Sequence, residues 1–528
     1  MYAIEFVGKE GGMTAWHCAL AVSVVVLGWW RPWKIGRRDE RLPPGPPTSF
    51  LLGNALQFPR LFPHHRFTEW SREYGDVFSL KIFNETIVVL SSAEALRAIL
   101  DKQGAVTGNR PKSHIIERTE GIYTVFGNME SHSWKASRKA AHMLLTPDAL
   151  KAHLHTQRPE WAQFLNDLLD SPEDLFTHIR RTSASIMTTI IYGRRCPEYA
   201  KSPAERFFEG THLLNKVVDA FTHPPIDLIP ALQYVPTRWA KWKQLSDQTK
   251  AIRNALFTEL LEECEARLAS ARGLTGCFIE RVIENTVELD MDREEIKAAG
   301  KVLMDGGTET TASLLQTFVL AMLNFPAVQK RAQEEIDSVI GGERVPDLDD
   351  FDKLLYLKAV IREVHRYRPS FPLGMPHVTT QDVVYKEYVI PRGTIIFTNL
   401  WGMHRDPDKF DDPETFKPER YLATKYGTKT EEDGAAFRDN MHFGSGRRLC
   451  PGIEMGSRNI AINTMNMLWA FTFSKDETSP TGGIDLDSAY QKPGMVFSPL
   501  PFKCNVVVRD GKRARLIREW HAAETGEH

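Results

Sequence analysis

The sequence has few cysteines, no excess of either charge and no low-complexity segment. The six cysteines among its 528 residues are Cys18, Cys196, Cys264, Cys277, Cys450 and Cys504. They are too few and too scattered for a disulfide scaffold, and they fit a reducing compartment. The formal net charge of -2 argues against a chain that coats nucleic acid, so no nucleic-acid partner is expected. A hydrophobic share of 42% excludes general disorder.

A stretch free of charged residues lies near the amino terminus. Thr14 to Trp30 contains no Asp, Glu, Lys or Arg over 17 residues, which is the short end of what spans a bilayer. Basic residues follow at once, so the positive-inside rule predicts a single-pass anchor with residues 1–13 in the lumen and the rest in the cytosol. A cleaved signal peptide and a segment lying in the membrane interface remain alternatives.

Beyond the anchor, the sequence predicts one large body. Residues 31–59 form a basic, proline-rich hinge, because proline fixes the backbone and cannot continue a helix. Residues 60–508 show no internal repeat and no long linker, and residues 509–528 form a charged C-terminal tail. Helical periodicity dominates, which predicts a mostly α protein with small β-sheets in an α+β arrangement. The expected strands lie at 77–90 with a break near Asn84, 383–389, 394–399 and 504–508.

One long helix is predicted in the middle of the chain. Asp292 and Glu295 form a plausible capping pair, and the pattern continues to Phe325, where Pro326 ends it. The adjacent Gly306 and Gly307 cost about 1 kcal/mol each inside a helix. Close approach of a flat ligand, a local bulge, a tight helix crossing or a break between two helices would each explain them.

The segment from Phe443 to Gly452 carries the strongest chemical signal. Cys450 has glycines on both sides and two arginines, Arg447 and Arg448, within three residues. It also precedes a predicted helix at 453–471, so backbone N–H groups would face its sulfur. This is the environment that a thiolate iron ligand needs. No second cysteine or histidine stands at zinc spacing.

These residues resemble those of a known family. Phe443, Gly446, Arg448, Cys450 and Gly452 match the spacing of the haem-binding signature of the cytochrome P-450 superfamily. Further segments resembling that family, in the expected order, are 134–138, 306–311, 363–366 and 416–420. The resemblance runs from residue 14 to about 508. It implies the cytochrome P-450 fold, with a long central helix over haem b and the Cys450 thiolate as axial iron ligand.

The resemblance also implies roles for individual residues. The haem propionates would be bound by Trp134, Arg138, His377 and Arg448. Glu309 and Thr310 would form the catalytic pair that delivers protons. Asp305 departs from the family pattern, since many relatives carry an apolar or small residue there. It could line the pocket, tune protonation or face away.

A second implied group is structural. Glu363, Arg366 and Arg420 would form a buried ion network that fixes the loop before the cysteine. Glu363 and Arg366 alone, three residues apart on a helix, could equally be a solvated surface pair of little energetic value.

The implied activity is insertion of one oxygen atom from dioxygen into a lipophilic substrate at the endoplasmic reticulum membrane. The chain has no dinucleotide-binding or flavin segment. NADPH–cytochrome P-450 reductase would therefore supply electrons, with cytochrome b5 as an auxiliary donor. Segments 373–377 and 399–404 resemble fungal members that oxidise polyketide, phenolic or other aromatic secondary metabolites. The residues expected to line the pocket are Phe126, Leu303, Gly307, Phe371, Leu373 and Phe497.

Three alternatives to this activity remain. The first is a haem-thiolate isomerase or dehydratase, and the second is an oxidase that couples rings without leaving oxygen in the product. The third is a protein that binds haem and small molecules without turnover.

Overall fold

Long helices make up most of the molecule. The computed structural model of the chain describes residues 35–219, 223–476, 490 and 496–526. In these ranges the helices of twelve or more residues are α1 (Pro63–Tyr74), α2 (His132–Leu145), α3 (Leu154–Asp170), α4 (Leu175–Tyr192), α5 (Pro203–Val218), α6 (Lys241–Ser270), α7 (Arg293–Asn324), α8 (Pro326–Val339), α9 (Leu355–Tyr367), α10 (Ile453–Ala470) and α11 (Gly511–Thr525).

The strands form three small sheets. They are β1 (Val77–Ile82), β2 (Glu85–Leu90), β3 (His377–Val378), β4 (Val383–Tyr385), β5 (Tyr388–Ile390), β6 (Ile395–Thr398), β7 (Phe471–Lys475) and β8 (Cys504–Val508). The largest sheet has the order β1-β2-β6-β3, with β2 and β6 parallel, while β4 pairs with β5 and β7 with β8. The predicted α+β class and the predicted strand regions are confirmed.

The central helix α7 begins as predicted. The Asp292 carboxylate accepts from the Glu295 N–H at 2.8 Å, and the Glu295 carboxylate accepts from the Asp292 N–H at 3.2 Å. The helix ends at Asn324, α8 begins at Pro326, and their axes differ by 107°. Every residue from 311 to 323 is buried, so the second half of α7 runs through the core. That core also contains α3, α4 and α10.

The glycines of α7 are explained by helix packing, without a break. A Cβ at Gly300 would lie 3.0 Å from Cζ of Tyr192, and one at Gly307 would lie 2.5 Å from Cε of Met187. Tyr192 and Met187 both belong to α4. Gly300 and Gly307 are seven residues apart, so they share one face of α7 and allow α4 to approach closely. Of the explanations left open by the sequence, the tight crossing accounts for Gly307.

The proline-rich hinge is attached to the body rather than separated from it. The Pro43 and Pro44 carbonyls accept bonds from the Ser79 hydroxyl at 2.6 Å and the Ser79 N–H at 2.8 Å. Arg38 donates to the carbonyls of Gly45 at 2.8 Å and Pro46 at 2.6 Å. Proline lacks an N–H but keeps its carbonyl, so a proline-rich segment can still be held along a strand.

The expected charged tail is largely a helix that packs on the body. Helix α11 lies against α3, with Ile517 fully buried. The Arg518 guanidinium pairs with Asp170, and Glu524 accepts from Arg158 at 2.8 Å. The apolar side of α11 packs beside α3, so the charged C-terminal segment adds to the core there.

The predicted anchor at 14–30 lies outside the described residues. Within the described ranges, no single helix has both the length and the apolar character needed to cross a bilayer. The bent pair α7 and α8 meets that test only when the two helices are taken together.

Candidate functional site

The segment around Cys450 is a tight loop that leads into α10. The Cys450 N–H donates to the Phe443 carbonyl at 2.9 Å, which closes the loop on itself. Gly446 has φ +56°, and a Cβ there would collide with the Leu100 carbonyl, so only glycine fits. Burial raises the pKa of the Cys450 thiol, while the Gly452 N–H and the charge of Arg138 oppose that shift. The Gly452 N–H at the helix start and the Arg138 charge are thus the two groups that would stabilise a thiolate against the effect of burial.

Two residues outside this loop hold its shape. The Arg438 guanidinium donates to the Gly444 carbonyl at 2.8 Å and to the Ser445 hydroxyl at 2.7 Å, and it pairs with Asp101. The Asp101 carboxylate also accepts from the Gly446 N–H at 2.9 Å. Sequence reasoning missed Arg438 and Asp101, because nothing local links two residues so far apart in the chain.

Three arginines beside the loop carry positive charge without a matching acid. Arg138 donates to the Leu449 carbonyl at 2.8 Å, and Arg448 donates to the Gly108 carbonyl at 2.8 Å. Arg110 donates to the Met375 carbonyl at 2.7 Å, and its Nε is buried without a partner. Within the part of the chain that the structure describes, none of the three has a carboxylate at ion-pair distance. The cluster is thus suited to bind an anionic group from outside the chain.

The pKa values in this cluster reflect burial and mutual repulsion. Burial, with a smaller contribution from neighbouring Arg448, lowers the pKa of Arg110 to about 9. Burial also lowers the pKa of Arg448 to about 10, with Arg138 adding to the effect. A bound carboxylate would reverse these shifts, since an opposite charge favours the charged form of each arginine.

His377 and Trp134 adjoin the same cluster. His377 is buried, and its Nδ1 lies 2.9 Å from the Thr107 carbonyl. Burial, aided by Arg110, lowers the pKa of His377 to about 3, so the ring is neutral. The Arg448 guanidinium carbon lies 4.8 Å from the centre of the Trp134 ring. The structure therefore brings together Trp134, Arg138, His377 and Arg448, and adds Arg110.

The sequence matches one family over most of its length. The Cytochrome P-450 family model matches residues 43–505. The chain is 37% identical over 486 residues to a cytochrome P-450 monooxygenase of Armillaria gallica, with 92% of each chain covered. It is 38% identical over 500 residues to the cytochrome P-450 monooxygenase ple5B of Rhodocybe pseudopiperita, covering 93% of this chain and 94% of the relative. The chain belongs to the cytochrome P-450 family.

The fold of this cytochrome P-450 agrees with a solved relative. A zebrafish cytochrome P-450, determined with progesterone, aligns with a TM-score of 0.69 and 24% identity. The alignment covers 85% of the present chain and 99% of the zebrafish chain. Family membership and the named relatives establish that the protein is a haem-thiolate monooxygenase.

The residues at the site fit a haem. Cys450 supplies the sulfur, and the three unpaired arginines supply charge for two propionates. On α7, a methyl group at Gly306 would meet no protein atom within 4 Å, so this face leaves room for a flat group. Gly306 and Thr310 are four residues apart and share that face. Arg110 was missed from the sequence, and a single arginine before a proline gives little signal by itself.

The acid–alcohol pair on α7 is held by two different partners. The Thr310 hydroxyl donates to the Gly306 carbonyl at 2.6 Å. Glu309 accepts from the Asn215 amide of α5 at 3.0 Å. Burial raises the pKa of Glu309 to about 7, whereas the Asn215 bond opposes the rise. A carboxyl group with that pKa can exchange a proton near neutral pH.

Asp305 belongs to a buried ion network. Its carboxylate accepts from the Arg253 guanidinium at 2.7 Å and from the Tyr123 hydroxyl at 3.0 Å. Arg253 also donates to Glu120 at 2.7 Å, and Lys301 lies 2.9 Å from the same carboxylate. The network joins α7, α6 and the segment around Glu120. The charge of Asp305 also raises the pKa of Glu309. Of the roles considered for Asp305 from the sequence, an influence on protonation therefore has a physical basis.

Glu363, Arg366 and Arg420 meet in the interior. Arg366 makes two 2.8 Å bonds to the Glu363 carboxylate, which also accepts from Arg420 Nε at 3.2 Å. Glu363 and Arg366 are fully or almost fully buried, which excludes a solvated surface pair. The two arginines also donate to backbone carbonyls of His404, Asp411, Asp412, Pro413 and Thr415. These contacts hold residues 404–417, and the cysteine loop itself is held by Arg438.

The expected pocket residues pack against different hydrophobic clusters. Leu303 packs on the main core, Phe126 on the cluster around Tyr123, and Leu373 on the cluster beside the largest sheet. The Phe497 ring lies in an aromatic group, 4.3 Å from the Tyr490 ring, and its carbonyl accepts from Ser313 of α7 at 3.1 Å. Phe371 accepts from the Gly374 N–H at 3.0 Å.

Gly307, which was expected to line the pocket, turns its Cβ position toward α4. Its Cα–H faces Met187 of α4, as described above, because α7 and α4 cross at this point. Gly306, one position earlier, is the glycine on the open face.

Proposed function

We propose that this cytochrome P-450 is anchored in the endoplasmic reticulum membrane and oxygenates a lipophilic fungal secondary metabolite, a polyketide, phenol or other aromatic compound. Haem b would be held by Cys450 and by propionate contacts to Arg110, Arg138, Arg448, Trp134 and His377. When bound, this haem activates dioxygen with electrons from NADPH–cytochrome P-450 reductase, with cytochrome b5 as an auxiliary donor.

The observation that carries the oxygenase assignment is the pair on α7. Glu309 has a pKa of about 7, and Thr310 lies on the open face with Gly306. Oxygen activation requires protons delivered in order, and a carboxyl beside a hydroxyl can supply them without admitting bulk water. An isomerase or dehydratase would have no need for this relay.

Apolar walls support a lipophilic substrate. Phe126, Leu303, Phe371, Leu373 and Phe497 are the side chains that would contact it. The named relatives are fungal, which supports a fungal metabolite as the source of the substrate.

Exposed apolar side chains support membrane association. Phe50 and Leu56 in the proline-rich hinge are 62% and 78% exposed. Tyr234 and Trp239, between α5 and α6, are 86% and 69% exposed. Large apolar groups exposed in two patches are typical of surfaces that contact a membrane or a partner.

The test is a reduced, carbon-monoxide difference spectrum followed by turnover. We expect the red-shifted Soret band of a thiolate-ligated haem, and we expect Cys450→Ala to lose it. With reductase, NADPH and isotope-labelled dioxygen, a panel of phenols and aromatic polyketides should give products that carry one labelled oxygen atom. Products without the label, formed with dioxygen consumed, would indicate ring coupling. Conversion without NADPH would indicate an isomerase or dehydratase.

The relay is tested with two threonine variants of the same helix. Thr310→Val should keep its haem. The hydrogen peroxide formed per NADPH consumed should rise at least several-fold over wild type. Thr308→Val is the matched control, because Thr308 is fully buried and its hydroxyl has no hydrogen-bond partner among the described residues. Equal coupling in the two variants would contradict the role of Thr310.

A further inference from the structure

Two buried thiols lie side by side, away from the haem site. Cys264, near the end of α6, is fully buried, and Cys277, which directly precedes the short helix Phe278–Glu284, is 3% exposed. Their Sγ atoms are 4.0 Å apart. The proposed oxygenase function uses neither residue.

A cationic side chain faces both sulfurs. Nη2 of Arg267 lies 3.2 Å from Sγ of Cys264 and 3.8 Å from Sγ of Cys277. The Arg267 Nε donates to Glu280 at 2.6 Å, so the guanidinium is fixed between the carboxylate and the thiols. Positive charge beside a thiol favours the thiolate, which is the reactive form. The bond that the thiols share lowers the pKa of Cys277 and raises that of Cys264. Cys277 also directly follows the exposed segment 271–276, so we assign it as the nucleophile of the pair.

The backbone next to Cys277 is exposed. Residues 271–276 connect α6 to Cys277, and all six are exposed to solvent. Gly273 and Gly276 each have φ +65°, a conformation that favours glycine. A disulfide needs the sulfurs at about 2.05 Å, so they must approach by roughly 2 Å. The backbone of an exposed connection of this kind can shift at a low cost in free energy. Because residues 271–276 directly precede Cys277, a small oxidant in the solvent would approach the pair from this side.

We propose that Cys264 and Cys277 form a peroxide-sensitive pair that closes to an intramolecular disulfide. The Cys277 thiolate attacks one oxygen of hydrogen peroxide, the O–O bond breaks, and a sulfenic acid and hydroxide form. The sulfur of Cys264 then attacks the sulfenic sulfur. Its proton and the sulfenic hydroxyl leave as water, and the S–S bond forms. Two thiols lose two electrons, and the peroxide is reduced to water. The pair does not depend on the proposed oxygenase function, because any source of peroxide can oxidise it.

The experiment uses the full-length holoprotein in detergent with added hydrogen peroxide, followed by alkylation and non-reducing peptide mapping. We expect a cross-linked peptide containing Cys264 and Cys277, which dithiothreitol converts back to two free thiols. The initial rate should rise with pH and level off once Cys277 is fully ionised, since the thiolate is the reactive species. The wild-type map decides the proposal even if a variant folds poorly.

Three variants sharpen the test. Cys264→Ser should abolish the cross-link and leave a Cys277 sulfenic acid that dimedone traps, while Cys277→Ser should abolish both products. Cys196→Ser is the matched control, since Cys196 is also buried and its sulfur contacts the Thr188 hydroxyl at 3.4 Å. It should leave the cross-link unchanged. The proposal is overturned if peroxide oxidises Cys504 in the wild-type protein while Cys264 and Cys277 stay reduced. A stable dimedone adduct of wild-type Cys277 without the cross-link would also overturn it.

Discussion

Glu309 is a partly buried carboxyl whose pKa, about 7, lies well above its ordinary value of 4.5. Between those two pH values the folded chain binds a proton that the unfolded chain has already released. The contribution of Glu309 to the free energy of unfolding therefore falls as pH rises from 4.5 to 7, and it does not recover above pH 7. Burial is the main cause, so a neutral side chain of the same shape should remove the effect.

The variant Glu309→Gln should therefore be more stable than wild type at pH 8 but not at low pH. We expect the difference in free energy of unfolding to grow by roughly 2 kcal/mol between pH 5.5 and 8, from 1.36 kcal/mol per pKa unit. Urea unfolding of the holoprotein at several pH values measures it. Glu294→Gln, an exposed carboxylate on the same helix, provides the charge-matched comparison. A pH-independent difference for Glu309→Gln would show that the raised pKa is incorrect.

Removing the charge of Glu363 should lower the stability of the protein. Glu363→Ala leaves Arg366 and Arg420 buried without a counter-charge, and we expect a loss of about 3–5 kcal/mol of stability together with reduced haem content. The control is Asp352→Asn, because Asp352 pairs with Lys358 of the same helix at 2.9 Å but is 90% exposed. That pair should be worth less than about 1 kcal/mol. Similar losses in the two variants would contradict a special role for the buried network.

At the residue scale, sequence reasoning finds groups whose neighbours are close in the chain. Cys450 could be predicted because its glycines, its arginine and the helix start all lie within a few residues. Arg110 and Asp101 could not, because each acts on residues more than 200 positions away. Asp305 stood out as unusual, yet its partners on α6 and near Glu120 were not predictable from local spacing.

The close crossing of α7 and α4 predicts that Gly→Ala substitutions on the two faces of α7 have opposite effects on stability. Ala in place of Gly normally stabilises a helix by about 1 kcal/mol. In the haem-free protein, Gly306→Ala should show that gain, since its methyl group meets no protein atom within 4 Å. Gly300→Ala should instead lose about 1–2 kcal/mol, because its methyl group would overlap the rigid ring of Tyr192, and overpacking outweighs propensity. Denaturant midpoints of the two variants measure the contrast, and a gain in both would mean that α4 can move away.

Element boundaries follow from local chemistry in this chain. The start of α7 was predicted because a capping box consists of two residues three apart, and its end because proline cannot continue a helix. The direction in which Gly307 faces was not predicted, because it depends on which helix packs against α7. The helical character of residues 511–525 was also missed, since α11 gains its stability from contact with α3.

The amino-terminal region gives a prediction for the whole molecule. Removing residues 1–34 should leave a folded haem protein that leaves the membrane fraction. Removing residues 1–41 should cost about 1–3 kcal/mol more, because Arg38 then no longer satisfies the carbonyls of Gly45, Pro46 and Ser79. Fractionation and thermal unfolding of both chains provide the measurements.

The control for the longer deletion is Arg38→Ala in the chain lacking residues 1–34. It should reproduce the stability of the chain lacking residues 1–41. If the shorter deletion stays in the membrane fraction, the exposed patches around Leu56 and Trp239 are sufficient to hold the protein there, and the predicted anchor is not the main attachment.

The pairing of β2 with β6 also affects how the chain reaches its fold during synthesis. Ile87 lies opposite Ile395, so β2 cannot pair with β6 until about 300 further residues have been synthesised. At 5–20 residues per second, that delay is on the order of 15–60 s. During it, the apolar run Ile87–Leu90 is an unpaired strand edge, which is the kind of surface that promotes association between nascent chains. Translation speed and chaperone supply, more than the equilibrium stability of the sheet, should therefore set the yield of folded protein in a host cell.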